Sequence, residues 1–453
     1  MKLSKSILFG LAAAVSANSA LATVSADEAR QLGSSLTPVG AEKAANGAGT
    51  IPAYSGTAIA APASFKKDSG IRPDPFGDEK PRLVITSKNM AEHADKLTEG
   101  AKELLKRYNT FRMDVYPTHR TAVLPKQLQE NTLKNAANAK AVEGGLAVEN
   151  ALPGVPFPIP KTGNEAMWNH LVRYQGTGMF AKYDSWNVDS AGVASLATSG
   201  EINYEWPIYS PAKINTVMKG DDPYWRVRAA YQAPARRAGE SLMVVDSVSP
   251  LEQPRRAWQY LPGQRRVKLA PDIAYDTPNA ATAGGSTYDD VSIFNGALDR
   301  FDFKLLGKRE MYVPYSSYRL TYEPDMAKIT TPKHLNPDLV RWELHRVWVV
   351  EATLKPGKRH IYAKRTFYID EDSWFVVAAD QFDARGELYR ASFAYLGFGY
   401  DANIMNGDTQ GFYDFVAGSY AINGLFGKGF LKFVDPLPAN RWAPESLAGA
   451  GVR

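Results

Sequence analysis

The chain has 453 residues, 44% of them hydrophobic and 22% charged, a globular composition that sets aside disordered, collagen-like and membrane-embedded classes. Lys and Arg number 53 against 48 Asp and Glu, so the formal charge is only +5, and basic pairs such as Arg236-Arg237 and Arg265-Arg266 lie among acids and aromatics rather than in one stripe; no nucleic-acid partner is expected. Cysteine is absent, which excludes disulfides, thiol nucleophiles, Fe–S clusters and the acylated cysteine of a lipoprotein anchor.

Met1 to Ser6 carries Lys2 and Lys5, Ile7 to Val15 is apolar or small, and Ala20-Leu21-Ala22 fits a cleavage site. This is the order of an export signal cut after Ala22. No later window approaches the ~18 consecutive apolar residues of a membrane span, so the mature chain is expected not to cross a membrane and, in a Gram-negative host, to reside in the periplasm. The organisation expected is a leader over 1–22, a helical and Pro/Gly-rich wrapping region over 23–160, and a strand-rich region over 161–453, the last two forming one structural unit.

Asp27 to Leu32 can form a short amphipathic turn, and the Gly, Ala and Pro-rich stretch from Leu36 to Pro62 interrupts any regular element and should wrap a surface. Thr86 or Ser87 can cap a helix from Asn89 to Phe111, because Met90, Ala94, Leu97, Ala101, Leu104, Tyr108 and Phe111 fall on one helical face. A second helix is predicted from Lys126 to Val142, stopping at Gly144-Gly145. Pro153, Pro156, Pro158 and Pro160 cannot lie inside a helix or a central strand and mark a boundary.

Beyond the boundary the pattern has period two. Ile202 to Trp206, Ala257 to Tyr260 and Arg346 to Glu351 alternate as strands do. Leu261-Pro262-Gly263-Gln264 and Lys355-Pro356-Gly357-Lys358 have the Pro-Gly centre of type II turns. Ile361–Ile369, Trp374–Asp380 and Glu387–Tyr395 read as a meander of three strands joined at Asp370-Glu371-Asp372-Ser373 and Asp383-Ala384-Arg385-Gly386. Closely spaced strands without intervening helices point to an antiparallel sheet that curls or closes.

Signatures of common enzymes are missing: the sequence has no G-x-S-x-G, H-E-x-x-H or P-loop pattern and no G-x-G-x-x-G opening a helix. The six histidines are scattered with no pair at metal-ligand spacing, so no metal and no cofactor is expected. The acids Asp370-Glu371-Asp372, Asp221-Asp222 and Asp289-Asp290 read as hydrated turns. What stands out is aromatic content on predicted strands. Trp206, Trp258, Tyr260, Trp348, Phe367, Trp374 and Phe393 are the candidate ligand-contacting residues, lining a hollow if the curved sheet leaves one and forming ordinary core if it does not.

Leu36 to Lys43, Pro156 to Pro160 followed by Trp168-Asn169-His170, and Arg255 to Val267 resemble, in order, an uncharacterised family of proteobacterial exported proteins: domain of unknown function 1329, outer-membrane lipoprotein-sorting-like. The resemblance covers nearly the whole mature chain. It implies a fold similar to the periplasmic carriers LolA and LolB, a mostly β, incompletely closed antiparallel barrel with helices across its mouth. It further implies a non-enzymatic carrier or chaperone for a lipid or other hydrophobic ligand, working beside an outer-membrane barrel protein and an inner-membrane exporter of the resistance-nodulation-division type. This chain is much longer than those carriers, which leaves a lipoprotein cargo unassigned. The alternative is an envelope lipid- or glycan-modifying hydrolase using carboxylates. A membrane-spanning barrel conflicts with the Pro-rich and helical front of the chain.

Overall fold

The computed structural model describes residues 24–449; the expected leader over 1–22 lies outside the described residues. One 15-stranded sheet is built mostly from the back of the chain, with two short strands contributed by the front. In chain order its strands are β1 (Leu83–Ile85), β2 (Met113–Val115), β3 (Gly178–Val188), β4 (Ala194–Glu205), β5 (Pro223–Ala233), β6 (Ser241–Ser247), β7 (Arg256–Leu261) and β8 (Arg266–Leu269). They continue as β9 (Phe301–Pro314), β10 (Trp342–Leu354), β11 (Lys364–Asp370), β12 (Val376–Phe382), β13 (Leu388–Ala394), β14 (Gln410–Asp414) and β15 (Ser419–Phe433).

The spatial order is β1-β2-β10-β11-β12-β13-β14-β15-β3-β4-β5-β6-β7-β8, with β9 along the other edge of β10. The ladder is antiparallel apart from one parallel contact, Val115 with Trp342. Its first and last strands do not pair with each other, so the sheet stays open. The fold is mostly β and incompletely closed, as expected. Among the described residues no helix is long and apolar enough to cross a membrane.

Burial separates two halves of this sheet. In β3 the residues Met179, Ala181, Tyr183 and Ser185 are buried and those between them less so, which is the pattern of a strand with one covered face. In β10 and β12 successive residues are buried without alternation, because both faces are covered there. A single hydrophobic core includes Val39, Ile51 and Leu104 from the front of the chain together with Val350, Phe367 and Leu431 from the sheet.

The helices differ from the sequence expectation in an instructive way. The single helix expected from Asn89 to Phe111 is a 3-10 stretch, Met90–Lys96, followed by α1 (Glu99–Arg107). Leu97 is extended and Thr98 starts the chain afresh, its hydroxyl accepting from Ala101 N at 3.1 Å. The break is enforced from the sheet: Asp380 of β12 accepts from the α1 amides of Glu99 and Gly100 at 2.9 and 2.7 Å. The second expected helix stops early, as α2 (Lys126–Asn138), and Lys140–Val142 pairs instead with Ala147–Glu149. Gly144 and Gly145, expected as a helix stop, form the tip of that hairpin with φ of 70° and 89°.

The proline run is buried rather than loose. Asn131 and Asn135 of α2 donate to the carbonyls of Pro153, Leu152 and Val155, and Thr132 accepts from Val155 N, so the backbone groups that prolines leave unpaired find partners. Leu261 to Gln264 does connect antiparallel strands, but as a 3-10 turn closed by left-handed Arg265 rather than as a type II turn.

Gly100 is the closest point of contact between α1 and the sheet, since a Cβ there would stand 2.2 Å from the Cβ of Ala391. Alanine is the better helix former by roughly 1 kcal/mol, but overpacking of this severity costs roughly 1–3 kcal/mol. Gly100→Ala is therefore expected to lower the urea midpoint; a raised midpoint would show that α1 does not dock at this distance.

Candidate functional site

One face of β3 to β6 forms a smooth apolar floor. The register aligns Met179, Tyr204, Val227 and Val244 in one row and Ala181, Ile202, Ala229 and Leu242 in the next. Side chains directly opposite one another on adjacent strands share a face, so the rows lie side by side. Phe426 and Asn423 of β15 form one wall. The roof is the long loop between β8 and β9, through Ile273, Asn279, Ala281, Tyr288 and Val291. Between floor and roof lies a narrow cleft with free space of about 70 Å³ between its packed walls.

The wall carries two charged side chains, Arg255 and Asp408. Arg255 is neutralised by Asp246 at 2.8 and 2.6 Å and also donates to the carbonyl of Asn295 at 2.9 Å. On its far side lies an open groove of about 360 Å³ walled by Pro250, Leu251, Pro254 and Pro271. The Arg255–Asp246 pair thus stands between outer groove and inner cleft.

The roof is fixed at several points. Fully buried Arg365 of β11 donates to Asp289 at 3.0 Å, to Asp290 at 2.8 Å and to the carbonyl of Ile293 at 3.1 Å. Tyr362 donates to Asp290 at 2.9 Å and His360 faces Asp289 at 3.0 Å. Burial pushes the Asp289 carboxyl up, but Arg365 and His360 outweigh it and hold it below the usual carboxylate range. Arg237 donates to the carbonyl of Ala280 at 2.6 Å. His170 of α3 (Gly163–Leu171) accepts from Val376 N through Nδ1 at 3.0 Å, which leaves Nε2–H to donate to the carbonyl of Phe294 at 2.9 Å. Burial and the neighbouring Arg173 keep that imidazole neutral.

None of the seven aromatic residues singled out from the sequence lines this cleft. Trp258 and Tyr260 pair with Met243 and Ser241, which puts them on the face opposite Leu242 and Val244; they pack under the C-terminal segment with Trp442 and Leu447. Trp206 is buried behind Tyr204, ring on ring at 6.0 Å. Trp348 and Trp374 stack at 6.2 Å, with the Trp374 indole donating to the carbonyl of Val39 at 3.1 Å. Phe367 meets Phe294 of the roof loop at 5.4 Å, and Phe393 meets Trp342 at 5.5 Å. The residues that do line the cleft, Tyr183, Tyr204, Trp225 and Tyr231 among them, alternate just as clearly along their strands. Period two alone does not say which face stays unfilled.

The acid runs at 289–290 and 370–372 are corrected by the structure. Neither is a hydrated turn, since Asp289, Asp290, Asp370, Glu371 and Asp372 are all buried. Asp222 is likewise tucked in, accepting from Lys219 N at 2.9 Å and from Lys213 at 2.8 Å, while Asp221 is exposed. Around the turn after β11, Arg120 holds both Asp372 oxygens at 2.7 and 2.8 Å, and Lys308 and Arg346 reach Glu371 at 2.7 and 3.3 Å. His345, Asp370 and Asp372 could offer a metal three ligand atoms within 4.8 Å of one another. Arg120 already occupies the Asp372 oxygens, whereas Asp370 Oδ1 accepts no hydrogen bond among the described residues and has His345 Nδ1 at 3.7 Å. Burial and Asp372 push Asp370 up to about 6.

Removing a buried cation strands its acids, at a cost of ~3–5 kcal/mol. Arg365→Met is expected to show that loss in urea unfolding at neutral pH. A carboxylate with a depressed pKa stabilises the fold above its unfolded pKa, whereas a buried acid without its cation is easier to keep once protonated. The gap between wild type and variant should therefore narrow at about pH 4.5; equal gaps at both pH values would show that the pair does not hold the loop.

A protein-family description, "Protein of unknown function (DUF1329)", matches residues 84–448. The chain is 40% identical over 451 residues to the Uncharacterized protein PA3922 of Pseudomonas aeruginosa, covering 98% of this chain and 97% of that one. Among solved structures it is similar to a putative outer membrane lipoprotein-sorting protein domain from Vibrio parahaemolyticus, at 15% identity and a TM-score of 0.43 over 63% of this chain and 97% of that one. It is also similar to a DUF1329 family protein from Desulfovibrio piger, at 14% identity and a TM-score of 0.41 over 62% of this chain and 95% of that one. The match over most of the chain, with a relative 40% identical end to end, shows that this protein belongs to the DUF1329 family.

Proposed function

We propose that the protein is an exported, periplasmic carrier that holds a hydrophobic ligand in the cleft between the β3–β6 floor and the β8–β9 loop. The observation that carries this reading is the cleft itself: two aligned rows of apolar side chains on one face of the sheet, roofed but not filled. Covering a hydrocarbon removes apolar surface from water at about 25 cal/mol per Å², so such a cleft suffices for carriage without any nucleophile. The basic, apolar and small-residue zones at the N-terminus support export. The sequence resemblance adds an outer-membrane barrel protein and a resistance-nodulation-division exporter as the partners between which such a carrier would work.

Hydrolysis by paired carboxylates finds less support. Among the described residues the cleft is lined by one acid, Asp408, where that chemistry needs two across the scissile bond. The acids of the two buried clusters are not among the residues that line the cleft and are engaged by guanidinium groups.

Native mass spectrometry of protein purified from its own periplasm is expected to show a co-purifying apolar ligand. Ala229→Phe, which projects a ring into the narrow cleft, should weaken binding of the neutral probe N-phenyl-1-naphthylamine by about tenfold or more, with an overpacking cost of roughly 1–3 kcal/mol in stability. Trp258→Ala, on the opposite face, should leave probe binding unchanged while lowering stability. The reverse outcome would move the ligand to the other face.

A further inference from the structure

We propose that the occupant of the cleft is an amphiphile bearing a protonated amine, its ammonium group paired with Asp408 and its hydrocarbon body lying along the apolar floor. This deepens the carrier reading and rests on it.

Asp408 is placed with care. It sits just before β14, where β15 carries a bulge, and a Cβ on Gly424 in that bulge would stand 2.1 Å from the Asp408 carbonyl oxygen. With φ of 72°, Gly424 adopts a conformation that favours glycine, and its carbonyl accepts from the Thr409 hydroxyl at 2.7 Å. The two chains therefore close against each other and present the carboxylate from a fixed base. Its Oδ2 accepts from the Asn406 amide at 2.6 Å, whereas Oδ1 accepts no hydrogen bond among the described residues. The side chain keeps part of its surface accessible because it faces the cleft.

Charge points the same way. Arg255, the other charged residue of the wall, is matched by Asp246, which leaves Asp408 as the wall's unpaired charge. Arg173, a buried cation behind it, favours the Asp408 carboxylate through its charge but makes no ion pair with it, donating instead to the carbonyl of His170 at 2.6 Å and to Gln175 at 3.2 Å. Burial raises the Asp408 pKa, the sign of a carboxylate that lacks a sufficient partner. An ammonium group supplies charge and donors together, and the aromatic rings of Tyr183, Tyr204 and Trp225 line the same cleft, where a cation can be attracted to them. A carboxylate or phosphate headgroup would meet like charge in an apolar enclosure.

The test is displacement of N-phenyl-1-naphthylamine from the full-length mature protein by dodecylamine, dodecanol and dodecanoate, each below its micelle concentration. These ligands share a chain and differ at the head. The expected result is that dodecylamine displaces the probe from the wild type at a concentration about tenfold or more below the other two, a preference of the size a charge-assisted hydrogen bond supplies. Asp408→Asn should bring the three together, the displacing concentration of dodecylamine rising to that of dodecanol. The wild-type ranking stands as a test even if that variant fails to fold. A probe that binds and is lost in Ala229→Phe, but is displaced equally by all three or best by dodecanoate, overturns the amine and leaves the carrier. Failure of the wild type to bind the probe or any of the three overturns both.

Discussion

A guanidinium group with no solvent exposure, that of Arg365, is the contact on which the seating of the β8–β9 loop over the sheet depends. It gathers two carboxylates and a carbonyl from one loop and lies among the rings of Phe294, Tyr362 and Phe367. Removing so many charges from water is costly, and an apolar substitute for all three groups could be as stable. What the ion pair supplies is a defined position. Asp289 and Asp290 must meet one particular arginine, so the loop between β8 and β9 has one seat on the sheet.

Where that loop is seated decides where the sheet is solid and where it is hollow. Over β11 its Phe294 meets Phe367 directly and the space is filled. Over β3 to β6 the same loop passes above the floor, held by Arg237 at Ala280 and by Arg255 at Asn295. An open sheet of this length must cover two faces with what remains of the chain. The front of the chain, through α1 and the proline-rich stretch, supplies other cover, and the cleft is left where strand face and loop are both apolar but not in full contact.

The charged groups follow a common rule. Arg120, Arg346 and Lys308 engage Glu371 and Asp372, and Arg365 engages Asp289 and Asp290, each partner distant in sequence from the segment it fixes, while Arg255 engages Asp246 of the preceding strand. These buried networks tie the wrapping segments to the sheet in single registers. Set against them, Asp408 is unusual in being enclosed, accessible to the cleft and only half bonded. Groups that depart from the satisfied pattern of a fold are where a ligand is expected to complete it.

Much of the architecture is set locally and was readable in order. Alternation marked the strands, and the Asp383 to Gly386 turn and the Lys355 to Lys358 turn fall between β12 and β13 and between β10 and β11, because turn chemistry and period-two burial are properties of neighbouring residues. The helix from Asn89 onward was misjudged for the complementary reason: Asp380, some 280 positions away, takes the amides that start α1 and so divides it. The acids after β11 looked hydrated because Arg120 and Lys308 are invisible from Asp370 to Asp372. The site was least legible of all. Trp258 and Leu242 are both apolar residues on neighbouring strands, and only the covering elements decide that one packs beneath the C-terminal segment while the other faces the cleft. Sequence by itself determined that an open antiparallel sheet rich in aromatic side chains would form. Tertiary structure alone decided which face stayed hollow, since a strand offers two equivalent faces and the choice between them is made by whatever segment is anchored above.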